Sequence, residues 1–221
     1  MSPSRLQTVP DIPAELLDTY LSAPLVAVDT ELQGLRLRRD HVCLVQLCDR
    51  EQNICLVKPE TREAPPNLRK LLTAPEVVKI FHYAVSDVAF FKVSMNVDVE
   101  PFHCTKVMSK LIRTYSDSHS LRTLVSELVG VELDKEQQNS NWDKQELSPM
   151  QLQYAANDVL FLIQVYDELM QMIENRAPLP TGISAAELNR RSQACLPTVV
   201  DLLVNGYGDR DQGWESSLFS H

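Results

Sequence analysis

Residues 25–35 read LVAVDTELQGL, a run of strand-forming residues that leads directly into two carboxylates, Asp29 and Glu31. In an extended backbone alternate side chains lie on the same face, so these two acids project together and repel each other. A cation between them would remove the repulsion, whereas an isolated pair of this kind is more often a solvated acidic turn. The stretch predicts a buried strand, and it predicts a cation site only if further carboxylates converge on it.

The composition is that of a globular protein. The chain has 221 residues, 44% of them hydrophobic, and a formal net charge of −9 at pH 7. No apolar run reaches the ~18 residues of a membrane span, and the N-terminal segment lacks an apolar signal core, so we expect a cytoplasmic protein. The five cysteines contain no C-x-x-C pair, which favours reduced thiols and no zinc site. The acidic charge argues against extended binding to long nucleic acid, but it permits a short nucleic acid held by a few local cations.

Hydrophobic patterns predict an α/β fold with a mixed sheet. Strands are predicted at 25–28, 41–49, 53–59 and 77–82, of which the first three should form an antiparallel meander. The clearest helix begins with a capping box formed by Ser148 and Gln151 and should continue to about Asn175. We expect an N-terminal segment over 1–24, one domain over 25–176, and over 177–221 a helical appendage, broken at Pro197, with an irregular tail from Gly206.

Two further acids stand where the fold could bring them to Asp29 and Glu31. Asp87 lies five residues beyond the predicted strand at 77–82, in the first turns of the next helix. Asp158 shares a helix face with Tyr154, four residues earlier, and is flanked by apolar residues, although an exposed position beside a core stripe remains equally open. Four hard oxygen donors suit Mg²⁺ or Mn²⁺, and two such ions ~3.5–4 Å apart can promote in-line displacement at phosphorus.

Three stretches carry a family resemblance. VAVDTEL, KIFHYAVSDVAFF and LQYAANDVLFL resemble the three motifs of the DEDD 3′–5′ exonucleases, in the order and spacing of the ribonuclease D branch. Gln153 stands where one subclass has histidine, whereas Tyr154 fits the tyrosine subclass (DEDDy). Most of residues 20–205 resembles nanoRNase C, a group of short relatives of ribonuclease D that degrade oligoribonucleotides.

This resemblance implies a ribonuclease H-like fold: a five-stranded mixed sheet flanked by helices, with a short helical C-terminal appendage. It also implies a homo-oligomer, which is an octamer in the nanoRNase C group. Only about 45 residues follow the third motif's helix, so we expect the additional nucleic-acid-binding domains of ribonuclease D to be absent.

Our hypothesis gives each acid a role. Asp29 bridges two metal ions, and Glu31 and Asp158 complete the site that activates water. Asp87 holds the second ion, directly or through a water molecule. The Tyr154 hydroxyl orients the attacking water, because its ordinary pKa of about 10 makes it a poor base at neutral pH. A core position without a catalytic role is the alternative for Tyr154.

Several residues are predicted to contact the substrate, and a purely structural role remains open for some of them. Leu35 corresponds to a leucine that wedges between terminal bases in related oligoribonucleases, or it simply packs its loop. His82 and Tyr83 lie at the end of a buried strand, near the expected substrate, and a structural role for this histidine is the more usual outcome.

A basic helix stripe could meet a substrate phosphate or a neighbouring subunit, or it could be a solvated face; its members are Lys106, Lys110 and Arg113. Trp142 either packs beside the active site or anchors its loop.

The predicted function is a metal-dependent 3′–5′ exoribonuclease that hydrolyses very short RNA, including dinucleotides, to 5′-mononucleotides. One alternative is ribonuclease D-like trimming of the 3′ ends of structured RNA such as tRNA precursors. The other is an inactive nucleic-acid-binding module.

Overall fold

A computed structural model describes residues 6–133 and 140–206. Its strands are β1 (Thr8–Val9), β2 (Leu25–Leu32), β3 (Val42–Cys48), β4 (Ile54–Val57), β5 (Val78–Phe81) and β6 (Phe102–Cys104). Its helices are α1 (Ala14–Ser22), α2 (Pro66–Leu72), α3 (Ala84–Met95), α4 (Thr105–Ile112), α5 (Leu121–Leu124, continued by a π-helical turn at Val125–Val129), α6 (Pro149–Leu160), α7 (Leu162–Glu174), α8 (Ala185–Ala194) and α9 (Leu196–Val204). The tail predicted to be irregular lies outside the described residues from residue 207 onward.

The strands form one mixed sheet in the order β1-β4-β3-β2-β5-β6. Strands β2, β3 and β4 pair antiparallel, which confirms the predicted meander, whereas β5 and β6 run parallel to β2. The predicted α/β fold is confirmed, but the described sheet has six strands and not five. The additional strand is β1, whose two residues pair with β4 and are too few to give a sequence pattern.

The helix predicted from Ser148 to about Asn175 is in fact two helices. Its capping box is confirmed: Gln151 N donates to Ser148 Oγ at 3.2 Å, and Ser148 N donates to Gln151 Oε1 at 3.1 Å. The first of these, α6, ends at Leu160. Phe161 is its C-cap, with φ −105° and ψ −2°, and α7 begins at the next residue. The break in the appendage lies at Cys195, because Pro197 fits into the first turn of α9.

The sheet separates two apolar layers, and this separation positions the carboxylates. Val26 and Val28 of β2 belong to the larger core, which also contains residues of α3 and α9. Ala27 packs on the opposite face, against Val159 of α6 and residues of α7. By the alternation of a strand, Asp29 continues the row of Ala27 and therefore faces α6.

All five cysteines are free thiols in this structure, and four of them are buried. Among the described helices, none combines the length and the apolar character needed to cross a lipid bilayer.

Candidate active site

Three carboxylates converge between the end of β2 and helix α6. One oxygen each from Asp29, Glu31 and Asp158 lies within 4.8 Å of the other two. The alternation of β2 supplies the first two side chains, and α6 places Asp158 on the helix face that packs over this part of the sheet. The structure thus brings together residues that are more than a hundred positions apart in the sequence.

The fourth predicted acid, Asp87, reaches the site from the other layer. It lies in the first turn of α3 and is buried, with 7% of its surface exposed. The hydroxyl of Thr30 donates a hydrogen bond of 2.5 Å to Asp87 Oδ1. Asp87 does not belong to the three-residue group, but its charge acts on both Asp29 and Glu31. Thr30 therefore links the strand to this acid, a role that the sequence did not indicate.

Burial and mutual repulsion make the carboxylates reluctant to ionise. The pKa of Asp29 is raised well above its ordinary value, first by burial and then by the charges of the other three acids. Burial, followed by the charges of Asp158 and Asp87, raises the pKa of Glu31 to about 9. Burial raises the pKa of Asp87 and of Asp158 to about 7, although hydrogen bonds from Thr30 and Tyr154, respectively, oppose the shift.

Tyr154 lies beside these acids as a hydrogen-bond donor. Its hydroxyl bonds to Asp158, one helical turn later. Burial, followed by the charges of Asp158 and Glu31, raises the pKa of Tyr154 above its ordinary value, so the hydroxyl keeps its proton at neutral pH. The ring packs against Trp142, with centroids 6.0 Å apart and planes tilted by 39°. Trp142 is buried, and it packs with Leu44 and Ala155 as well as with this tyrosine.

Sequence reasoning missed Gln46, which stands directly across the sheet from Asp29. The two residues are register partners in the β2–β3 ladder, and cross-strand partners place their side chains on the same face. Gln46 has no exposed surface, and neither polar atom of its amide has a partner among the described residues. Buried amides are normally hydrogen-bonded, so this one marks a place where a further polar group belongs. The sequence did contain one signal for this residue, because Gln46 is a polar residue within an otherwise apolar strand.

The donor set suits a hard divalent cation. Carboxylate oxygens are the ligands that Mg²⁺ and Mn²⁺ prefer, and a cation would convert the repulsion among these acids into coordination. The unpartnered amide beside Asp29 adds a polar group that could hold a metal-bound water. The residues present therefore fit a divalent metal.

The predicted substrate residues lie in the loop after β2 and around the turn between β5 and α3. Leu35 follows β2 and is 62% exposed. Tyr83 immediately precedes α3, is 55% exposed, and has a ring whose centroid lies 4.3 Å from Nζ of Lys106. His82 is instead largely buried, with Nδ1 2.9 Å from Oγ1 of Thr105. Burial, with the nearby charge of Lys106, lowers the pKa of His82 to about 3, so the ring is neutral.

One of the three residues predicted to form the exposed basic stripe is buried. Lys106 and Lys110 lie on the accessible part of α4, but Arg113 has no exposed surface. Arg113 forms an ion pair with Glu127 and donates to Ser118 O at 3.1 Å. Arg113 therefore makes contacts within the fold, because the π-helical turn that follows α5 covers this end of the stripe.

Comparison with known proteins places the chain in a family. Residues 7–174 match a family model described as 3′–5′ exonuclease. Ribonuclease D of Granulibacter bethesdensis is 33% identical over 180 residues, which cover 80% of this chain and 45% of that protein. The chain thus spans about half the length of the curated relatives it matches.

Solved structures give a closer match in length. The structure of Brucella melitensis NrnC with bound Mg²⁺ is 34% identical, with a TM-score of 0.80 and coverage of 96% of both chains. The structure of the same protein bound to pGG gives 34% identity, a TM-score of 0.81 and the same coverage.

Proposed function

Because the chain belongs to the 3′–5′ exonuclease family, we propose that it is a metal-dependent exoribonuclease that releases 5′-mononucleotides from the 3′ end of very short RNA, including dinucleotides. The observation that carries the proposal is the convergence of Asp29, Glu31 and Asp158 on one point. Asp87 lies beside them, held by Thr30. No basic residue contributes to the shifted pKa values of Asp29 and Glu31, so a cation is the missing partner of this cluster.

The four acids would hold two divalent ions, Mg²⁺ or Mn²⁺. Such ions, when bound, lower the pKa of a water molecule and stabilise the leaving oxygen. Tyr154 is protonated and held by Asp158, so its hydroxyl orients the attacking water and does not accept its proton. Trp142 covers one side of the tyrosine ring and limits its movement.

Three features support a very short substrate. A dinucleotide offers little backbone charge, so its binding depends on base stacking and a few local contacts, which the net charge of −9 permits. Exposed Leu35 and Tyr83 offer surfaces for the bases, and Lys106 offers a cation beside Tyr83, with the neutral ring of His82 next to it in the sequence. The similarity over 96% of both chains to NrnC, whose structure was solved with pGG bound, favours the same substrate class.

A second candidate is the trimming of structured RNA, which the 33% identity to ribonuclease D favours. A third is a nucleic-acid-binding module without activity. The presence of all four acids and of Tyr154 argues against the third candidate.

A length series of 5′-labelled RNAs, from two to seven nucleotides with Mn²⁺, separates these candidates. We expect the dinucleotide to be cut faster than the heptanucleotide, and Asp29→Ala to abolish turnover. Asp117→Asn changes an exposed acid outside the site and should leave the rate unchanged. A dinucleotide cut no faster than the heptanucleotide contradicts the short-substrate proposal, and a wild type inactive on every length favours the binding module.

We also propose a homo-oligomer, as the resemblance to nanoRNase C implies. Multi-angle light scattering of the purified chain measures its mass in solution. A mass of 25.0 kDa, that of a single chain, at working concentration contradicts this part of the proposal.

A further inference from the structure

A second cluster of metal-ligand side chains lies outside the carboxylate site. His41, Cys43 and Asp143 each offer one ligand atom, and these three atoms lie within 4.8 Å of one another. Nε2 of His41 is 3.2 Å from Oδ1 of Asp143, and Sγ of Cys43 is 4.0 Å from the same oxygen. Although the cysteine spacing alone predicted no zinc site, we propose that these residues bind a softer divalent cation such as Zn²⁺, at a site distinct from the cluster of Asp29, Glu31 and Asp158.

The distances suit tetrahedral coordination. With zinc bonds of about 2.0–2.1 Å to nitrogen or oxygen and about 2.3 Å to sulfur, the ligand atoms of a tetrahedral site lie roughly 3.3–3.6 Å apart. The observed separations of 3.2 and 4.0 Å differ from this range by a few tenths of an ångström, and the ligand atoms of His41 and Cys43 lie within 4.8 Å of each other. A nitrogen, a sulfur and one carboxylate oxygen favour Zn²⁺ over Mg²⁺, whereas the all-oxygen carboxylate site favours the reverse.

An irregularity in the sheet brings the cysteine to this side. Glu31 pairs with Leu44, but Leu32 pairs with Val42, so Cys43 is an extra residue in the ladder. A bulge of this kind redirects the side chain of the extra residue. Cys43 consequently packs in the same cluster as Leu44, although neighbouring residues of a regular strand point to opposite faces.

The third ligand comes from the loop before α6 and is already oriented. Gln33 Nε2 donates to Oδ2 of Asp143 at 3.3 Å, which leaves Oδ1 directed at His41 and Cys43. A hydrogen bond to the free oxygen of a ligating carboxylate is a common feature of metal sites. Bound metal would tie this loop to the start of β3, next to Trp142.

The site is open on one side. A cavity of about 600 Å³ is lined by His41, Cys43 and Asp143, and the Asp143 side chain is 48% exposed. Three protein ligands and an open approach leave the fourth position to water. The thiol must lose its proton on binding, and burial raises the pKa of Cys43 to about 12. We therefore expect an exchangeable metal and not a permanent structural one.

Cobalt titration tests the proposal, because Co²⁺ bound to a thiolate gives an ultraviolet charge-transfer band that carboxylate ligands cannot give. The full chain, stripped of metal, should develop this band on titration with Co²⁺ and lose it when Zn²⁺ is added. Cys43→Ser should abolish the band, whereas Cys195→Ser, which changes the one exposed cysteine, should retain it. Gln33→Ala, which alters only the support of Asp143, should weaken Co²⁺ binding by about tenfold.

The outcomes separate this site from the catalytic one. Absence of the band in the wild type, or its persistence in Cys43→Ser, overturns the proposal. Should Cys43→Ser fail to fold, Asp143→Asn at the exposed edge of the cluster must still lower the affinity for Co²⁺. The readout does not depend on nuclease activity, so it stands apart from the outcome of the RNA assay.

Discussion

Replacing Asp158 by Asn should make the metal-free protein more stable at alkaline pH while destroying its metal response. The substitution keeps the shape of the side chain and an oxygen that can accept the hydrogen bond of Tyr154, but it removes one charge from a buried cluster of like charges. A carboxyl group whose pKa is raised on folding adds a stability that is complete below its unfolded-state pKa and is lost as the pH rises through its folded-state pKa.

The structure sets an upper limit on the size of this effect. The pKa of Asp158 is raised by burial from 3.8 to about 7. At about 1.36 kcal/mol per pKa unit, ionising Asp158 in the folded state costs at most about 4 kcal/mol at alkaline pH. The stability advantage of Asp158→Asn should therefore grow by as much as about 3 kcal/mol between about pH 5 and about pH 8.

Urea unfolding with EDTA, or with Mn²⁺ in its place, measures both parts of the prediction. In EDTA the wild type should lose stability from about pH 5 to about pH 8, and Asp158→Asn should lose less. Mn²⁺ at about a hundred times its Kd should stabilise the wild type by about 2.7 kcal/mol and the variant far less. Glu168→Gln, which changes an exposed acid on α7, serves as the matched control. A variant less stable than the wild type in EDTA at about pH 8 would refute the account of a repulsive cluster.

Three further substitutions test individual contacts. Thr30→Val removes the hydrogen bond to Asp87, so the half-maximal rate of RNA hydrolysis should require more Mn²⁺; an unchanged Mn²⁺ titration would contradict this. Gln46→Leu removes a buried amide without a partner, so urea unfolding should show a gain of about 1 kcal/mol while the Mn²⁺-dependent rate falls; a loss of stability would mean that the amide is satisfied. Arg113→Met removes the ion pair with Glu127, whose side chain is 49% exposed, and should lower the free energy of unfolding by only about 1 kcal/mol, with KM for short RNA unchanged; a raised KM would return Arg113 to the substrate site.

Features that depend on neighbouring residues were predictable from the sequence. The meander β2–β3–β4 and the capping box at Ser148 follow from local alternation and from side chains three residues apart. The grouping of Asp29 with Glu31 follows from the period of a strand. The convergence of Asp158 on this pair is a nonlocal feature, and a family resemblance was needed to predict it.

Features that depend on what covers a surface were not predictable. The spacing of Lys106, Lys110 and Arg113 shows that they share a helix face, but not that a later turn buries the last of them. Gln46 lies opposite Asp29 because of the register between β2 and β3, and the sequence of one strand does not specify that register. The group of His41, Cys43 and Asp143 spans about a hundred residues and depends on the bulge at Cys43 in β3. No short sequence motif therefore indicates it.

The buried charges of the chain fall into two kinds. Lys79 has no exposed surface, and its Nζ donates to two backbone carbonyl oxygens, those of Ala74 at 2.9 Å and Glu100 at 2.7 Å. Arg113 is equally buried and forms an ion pair and a bond to a backbone carbonyl. Both cations have polar partners within the described part of the chain, and burial still lowers the pKa of Lys79 to about 8.

The acids at the end of β2 are of the other kind. Burial raises the pKa of Asp29 and Glu31, and the charges of Asp87 and Asp158 raise it further. A buried ionisable group that is left uncompensated in this way lowers stability. Apolar contacts between the sheet and α6 hold these acids in place. Ala27 of β2 and Val159 of α6 belong to the buried cluster that makes these contacts. The fold therefore supports a cluster of acids whose pKa values no basic side chain lowers, and a bound divalent cation would supply the missing positive charge.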